Sequence, residues 1–255
     1  MEPSNERALT ISVVTAGYNC VATLPGLIES LRRQTDPDFE WVVADGGSTD
    51  GTLELLRSVT DLRIRISSQR DFGIYDALNR GLSMAKGDYY LVAGADDAFS
   101  DDAIARFRSA IEGTPRDILA APVSYDRYLF RIRRGPSWLV GEKAFIANHS
   151  IGTAFRRSLH DRFGLYSRKL PIAADSLFVL QACRGGATRS ELDFVAGTIG
   201  MRGTSEADWA GSATELFRAQ LMVGEPLLRQ LPLLLLRLLK GASASAKAVH
   251  DKLFR

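Results

Sequence analysis

The sequence predicts an α/β fold: a mostly parallel, twisted sheet flanked by helices, followed by a C-terminal helical extension. Three observations predict it. Strand-like and helix-like segments alternate through the first half of the 255 residues, as right-handed βαβ crossovers require. The strand-like runs are almost continuously apolar, as strands covered on both faces are. Each run is followed by a loop carrying carboxylates, hydroxyls or glycines, and ligands of parallel sheets sit beyond the carboxyl ends of the strands.

Residues 9–15 (LTISVVT) read as the first strand. Residues 23–34 follow as a helix, with Leu24, Leu27, Ile28 and Leu31 at helical spacing and Pro25 in the first turn, where its missing N–H is tolerated. Residues 39–44 (FEWVVA) are the second strand. Asp50 is then placed to cap a helix whose Leu53, Leu56 and Val59 share a face. Residues 62–67 read as a third strand, 74–85 as a third helix, 89–93 (YYLVA) as a fourth strand and 101–112 as a further helix. Four polar loops, 15–19, 45–50, 68–71 and 94–97, should therefore converge on one edge of the sheet.

The second half is less regular. Residues 118–122 and 125–133 read as strands, 144–155 mixes apolar residues with His149 and Ser150, and 177–183 reads as a short helix. From Trp209 the chain turns helical and leucine-rich, through LLRQLPLLLLRLLK at 227–240. The expected organisation is a domain over 1–208 and a helical segment over 209–255.

Composition narrows the function. Hydrophobic residues at 45% and charged ones at 24% describe a globular chain rather than a disordered one. A net charge of +2, without interleaved Lys/Arg and aromatics, argues against a nucleic-acid partner. Cys20 and Cys183 lie far apart with no CxxC, which points to two buried thiols in a reducing compartment. Residues 1–7 lack the apolar stretch of a signal peptide, so the expected location is the cytoplasm.

Two constellations carry chemistry. Asp96-Asp97 closes the fourth strand, and adjacent carboxylates at a strand end suit a hard divalent cation that offsets the charge of a diphosphate. Read alone, the pair equally prepares the next helix. Asp45 opens DGGSTDGT at the end of the second strand and is placed to accept hydrogen bonds from a base or ribose. The first strand runs into Ala16-Gly17-Tyr18-Asn19-Cys20, without the spaced glycines of a dinucleotide loop, and no GxxxxGK[ST] phosphate loop occurs.

The series ISVVTAGYN, VVADGGSTDGT, DFGIYDALNRGLSMAKGDYYLVAGADD and IAADSLF resembles family 2 of the glycosyltransferases, with the GT-A fold. The likeness is strongest to the bacterial branch that builds exopolysaccharide and lipid-linked oligosaccharides, and it runs from about residue 11 to residue 205. It implies an inverting transfer from a nucleotide-diphosphate sugar to the hydroxyl of a saccharide or lipid-linked saccharide, with Mn²⁺ or Mg²⁺ as cofactor. By that resemblance Thr15, Ala16, Tyr18 and Asn19 border the nucleotide and Asp45 reads the base. Asp71, Tyr75 and Asp76 form a donor-side segment; Asp97 is the nearer metal ligand, with Asp96 towards the ribose. Asp175 is the general base and Gly203, in the late GMRGTS loop, lies on the acceptor side; His149 reads either as an acceptor-side residue or as a satisfied structural histidine.

The chain departs from the pattern at Gly46, Gly94, Ala174 and Leu78, the last standing where relatives carry an arginine near the diphosphate. A sugar-nucleotidyltransferase would need a glycine-rich basic loop after the first strand, which residues 16–20 do not supply. A catalytically inactive nucleotide-sugar-binding relative or scaffold is the other alternative, and the joint presence of Asp97 and Asp175 argues against it. The segment 226–240 falls short of the run a spanning helix needs, so it reads as an interfacial helix giving peripheral membrane contact, or as a packed terminal helix or oligomer contact.

Overall fold

A computed structural model describes residues 11–147, 150–200 and 208–253. Four strands in the first half, β1 (Ile11–Gly17), β2 (Glu40–Asp45), β3 (Ile64–Ser68) and β4 (Tyr89–Val92), pair in parallel in the order β3-β2-β1-β4. Between them run α1 (Leu24–Arg32), α2 (Thr52–Ser58) and α3 (Ile74–Met84). Beyond β4 come the short β5 (Ala98–Phe99), α4 (Ala103–Gly113) and β6 (Ile118–Ala120). A hairpin of β7 (Val123–Tyr125) and β8 (Tyr128–Phe130) is followed by a single turn, α5 (Ser137–Val140). The 3₁₀ turn Gly141–Ala144, then β9 (Thr153–Arg156), α6 (Leu159–Phe163), α7 (Ala174–Arg184), β10 (Arg189–Glu191) and β11 (Gly197–Thr198) lead to the terminal helices α8 (Trp209–Met222) and α9 (Leu227–Leu253).

The main sheet has the order β10-β6-β9-β4-β1-β2-β3. Only β9 runs against its neighbours, pairing antiparallel with both β4 and β6. A smaller sheet, β5-β11-β7-β8, stands beside the end of β4. The predicted parallel sheet is therefore present, with one reversed strand inserted where the sequence suggested only a mixed apolar stretch. The single strand expected over 125–133 is instead a hairpin, because Asp126 takes a left-handed φ of 50° and turns the chain.

Alternation along β1 explains the two-sided core. Ile11 and Val13 join Leu27, Leu31, Trp41 and Phe107 on one face, while Val14 joins Val42, Leu78, Tyr90 and Phe178 on the other. Trp41 is wholly buried, and its indole N–H donates to the Thr15 hydroxyl at 3.0 Å across the β1–β2 pair. Trp41→Phe removes both ring volume and that donor, so we expect a loss of about 2–3 kcal/mol, read as a lower midpoint in urea with an unchanged slope.

The helix after β2 begins differently from expectation. Gly51 occupies the N-cap position, and Asp50 accepts from the Thr52 N–H at 3.0 Å and from the Val21 N–H at 3.1 Å. Asp50 thus serves the start of α2 and fastens the loop after β1 to it.

Candidate active site

The loops at the carboxyl ends of β1, β2, β3 and β4 do converge. Asn19, in a left-handed conformation at φ 49°, receives the Thr49 N–H on its side-chain oxygen at 2.9 Å, while its own N–H donates to the Ser48 hydroxyl at 2.8 Å. These reciprocal bonds tie the first loop to the second. Tyr18, 65% exposed, lies at the edge of this pair, while the hydroxyl of Thr15 is buried against Trp41 and Ala16 packs into the core.

Asp45 organises the second loop. Its carboxylate is fully buried and accepts the N–H groups of Gly47 and Ser48, each at 3.1 Å, together with the hydroxyls of Ser48 and Ser68. Burial alone would raise its pKa, but these hydrogen bonds outweigh it and hold the group below the ordinary carboxylate value. The stability it contributes is therefore complete above about pH 4 and is lost as pH falls through the lowered native value.

Gly46 lets the third loop approach. A Cβ there would stand 2.8 Å from an oxygen of Asp71 and 3.3 Å from the Tyr18 ring, so the absence of a side chain at 46 brings tyrosine and carboxylate together. Asp71 also accepts the Gly73 N–H at 3.0 Å. Asp76 accepts from Phe72 N–H at 3.3 Å and pairs with Arg168. Residues 71–76 are thereby held as a compact start to α3.

The two carboxylates after β4 have different environments. Asp97 is 1% exposed and accepts the Gly94 N–H at 2.7 Å and the Gly200 N–H at 3.0 Å, one on each oxygen. Asp96 is exposed and leans over Gly200, where a Cβ would collide with its carboxylate. Asp97 thus joins the end of β4 to the segment after β11, and Asp96 is the member of the pair that faces outward. Among the described residues no three His, Cys, Asp or Glu side chains cluster to enclose a metal ion. A hard divalent cation would find an outward carboxylate in Asp96, whereas both oxygens of Asp97, the nearer ligand by resemblance, accept backbone N–H groups.

Asp175 stands in the first turn of α7, and the Tyr75 hydroxyl joins it to the start of α3. That oxygen lies 2.7 Å from Asp175 Oδ1 and 2.9 Å from the Ile172 carbonyl, so its one proton is shared between them. Burial, reinforced by the Asp175 charge, raises the Tyr75 pKa far above the phenol range and keeps it a donor. Asp175 does not cap the helix it begins. Ala173 is the N-cap, and Glu215 of α8 accepts the N–H groups of Ile172 and Ala173 at 2.8 and 2.9 Å.

Beside Asp175 lies Glu142, whose Oε2 is buried without a partner among the described residues. Burial raises its pKa, the Lys143 ammonium opposes that, and the Asp175 charge adds to it. Three residues that sequence reasoning passed over thus shape this side: Glu142, Glu215 and Arg80. Arg80 donates to the Asp45 carbonyl at 2.7 Å, and its Nε and Nη1 are buried without partners among the described residues. Leu78, where an arginine was expected, is core. Periodicity along α3 marks Leu78 as inward but gives no sign that Arg80 reaches back to β2. His149 and Gly203 lie outside the described residues.

Comparison with known proteins agrees with this architecture. The chain is 35% identical over 170 residues to a PGL/p-HBAD biosynthesis glycosyltransferase of Mycobacterium bovis, a match covering 64% of this chain and 66% of that relative. The chain thus spans just under two thirds of the relative's length. Among solved structures, the Pyrobaculum calidifontis mannosyltransferase PcManGT, in complex with GDP-Man and Mn²⁺, superposes with a TM-score of 0.68 at 20% identity, covering 96% of this chain and 76% of that one. S. aureus TarS 1–349 in complex with UDP-GlcNAc superposes at 0.65 with 21% identity, covering 88% of this chain and 70% of that one. Both are GT-A glycosyltransferases, and at such identity they speak for the fold alone. A sequence profile of glycosyl transferase family 2 matches residues 12–168, more than half of the chain, and the protein belongs to that family.

Proposed function

We propose that the protein is an inverting glycosyltransferase that moves a sugar from a nucleotide-diphosphate sugar to a hydroxyl of a saccharide or lipid-linked saccharide, in the synthesis of bacterial cell-surface glycan. The observation that carries this reading is the 2.7 Å bond between Tyr75 and Asp175, which sets a carboxylate of the second half directly against the donor-side loops.

In the reaction Asp175 takes the proton of the acceptor hydroxyl as its oxygen attacks the anomeric carbon from the face opposite the diphosphate. The bond from that carbon to the phosphate oxygen breaks, and the nucleoside diphosphate leaves with the electron pair. Tyr75 orients the carboxylate by donating to Oδ1. Arg80, whose Nε and Nη1 have no partner among the described residues, supplies the positive charge that Leu78 cannot. Tyr18 offers an exposed ring against which a base can stack. A divalent cation, Mn²⁺ or Mg²⁺, held by Asp96 would offset the charge of the diphosphate when bound.

The test is a panel of nucleotide sugars, including UDP-GlcNAc and GDP-Man, scored by thermal shift with Mn²⁺, Mg²⁺ or chelator. One donor near a hundredfold above its Kd should stabilise the protein by about 2.7 kcal/mol, a rise of roughly 5–10 °C, and chelator should remove the effect. No response to any donor would favour a non-catalytic scaffold.

A further inference from the structure

Helix α9 is built inside out. In a helix lying on a water-exposed surface the leucines face the protein and the polar side chains face solvent. Here Leu228, Leu231, Leu235 and Leu239, at three- and four-residue steps, are exposed, with Leu228 at 87% and Leu239 at 68%. Leu236 is exposed beside them. Two of its polar side chains point inward instead. Gln230, wholly buried, donates to the Trp138 carbonyl at 2.8 Å, and Arg237 donates to the Leu139 carbonyl at 3.0 Å. Gln220 of α8 completes the series on the Ser137 carbonyl at 2.7 Å. The helix is therefore anchored to the body of the protein through polar contacts, and its outward leucines are surplus to the core.

We infer that this leucine stripe is a docking surface for an anionic lipid bilayer. Charge selects that occupant. From 227 to 253 the sequence of the helix holds five basic residues against the one acidic Asp251; Arg229 pairs with Glu225 and Arg237 turns inward, so the surplus charge rests on Lys240, Lys247 and Lys252. A second copy packed on the same stripe would bring two such positive helices together. An anionic bilayer receives the leucines at its acyl boundary and answers the lysines with its headgroups. No helix among the described residues is long and apolar enough to cross a membrane, so the contact lies in the plane of the interface.

Vesicle flotation of the full chain tests this. The protein should rise with vesicles of equal phosphatidylcholine and phosphatidylglycerol, and bind roughly tenfold less to phosphatidylcholine alone. The triple variant Leu231→Gln, Leu235→Gln, Leu239→Gln keeps helix-forming residues at exposed positions, so its circular dichroism should not change. Its partitioning should fall roughly a hundredfold. Equal flotation of variant and wild type overturns the proposal, as does wild-type protein that stays in the aqueous phase. A concentration-dependent dimer in velocity sedimentation, abolished in the variant, would give the stripe to a second copy. Donor-induced thermal shifts measured without lipid stay independent of all these outcomes, so the surface and the transfer reaction stand or fall separately.

Discussion

Asp175→Asn is expected to lower kcat by about 10²- to 10⁴-fold, the usual contribution of a positioned general base. Donor binding should survive. The amide is nearly isosteric with the carboxylate, its oxygen can still receive the Tyr75 hydroxyl, and the bonds that Glu215 accepts from the N–H groups of Ile172 and Ala173 do not involve it. The expected signature is therefore an unchanged donor-induced thermal shift beside a collapsed single-turnover rate. Tyr75→Phe should reduce kcat by a smaller factor, because it loosens the carboxylate without removing it. Wild-type turnover by the Asp175→Asn protein would end the assignment and send the search for a base to Glu142, the buried carboxyl beside it.

The second large effect separates two adjacent carboxylates. Asp96→Asn should abolish metal-dependent stabilisation by donor and most of the activity, while leaving the donor-free melting temperature near that of the wild type, since Asp96 is exposed. Asp97→Ala should do the reverse first. It strips the Gly94 and Gly200 N–H groups of their acceptor in a buried setting, for about 2–4 kcal/mol and a fall on the order of 5–10 °C without any ligand. Thermal melts of both variants, with and without donor and Mn²⁺, decide the matter. If Asp97→Asn lost the metal response while Asp96→Asn kept it, the metal would belong to Asp97 and the two roles would be exchanged.

These two residues also show how far the sequence is legible. That carboxylates end the fourth strand follows from the strand pattern, but which of them faces outward depends on Gly200, more than a hundred positions away. The parallel strands of the first half read correctly because their apolar runs are long and separated by helices of clear period. β9 left no such trace: four residues, reversed between β4 and β6, carry no signal distinguishing them from any buried segment. Asp45 was recognisable as a strand-end acid, yet its hydrogen bond from Ser68 comes from the next strand and its backbone contact from Arg80 on α3. Glu215 and Glu142 were invisible for the same reason. Each acts on α7 from a distant element, and nothing in the local sequence marks either glutamate as buried.

The carbonyls of Ser137, Trp138 and Leu139 are held by residues 220, 230 and 237, and the start of α7 by residue 215. This arrangement imposes an order on biosynthesis. The loops after β1, β2 and β3 hold one another as soon as β3 has emerged, whereas Asp76 still awaits Arg168 and Asp97 awaits Gly200. The side bearing Asp175 acquires its supports only when the terminal helices arrive. A nascent chain on the ribosome can thus join its first loops early, but Asp175 takes its final position only near the end of translation.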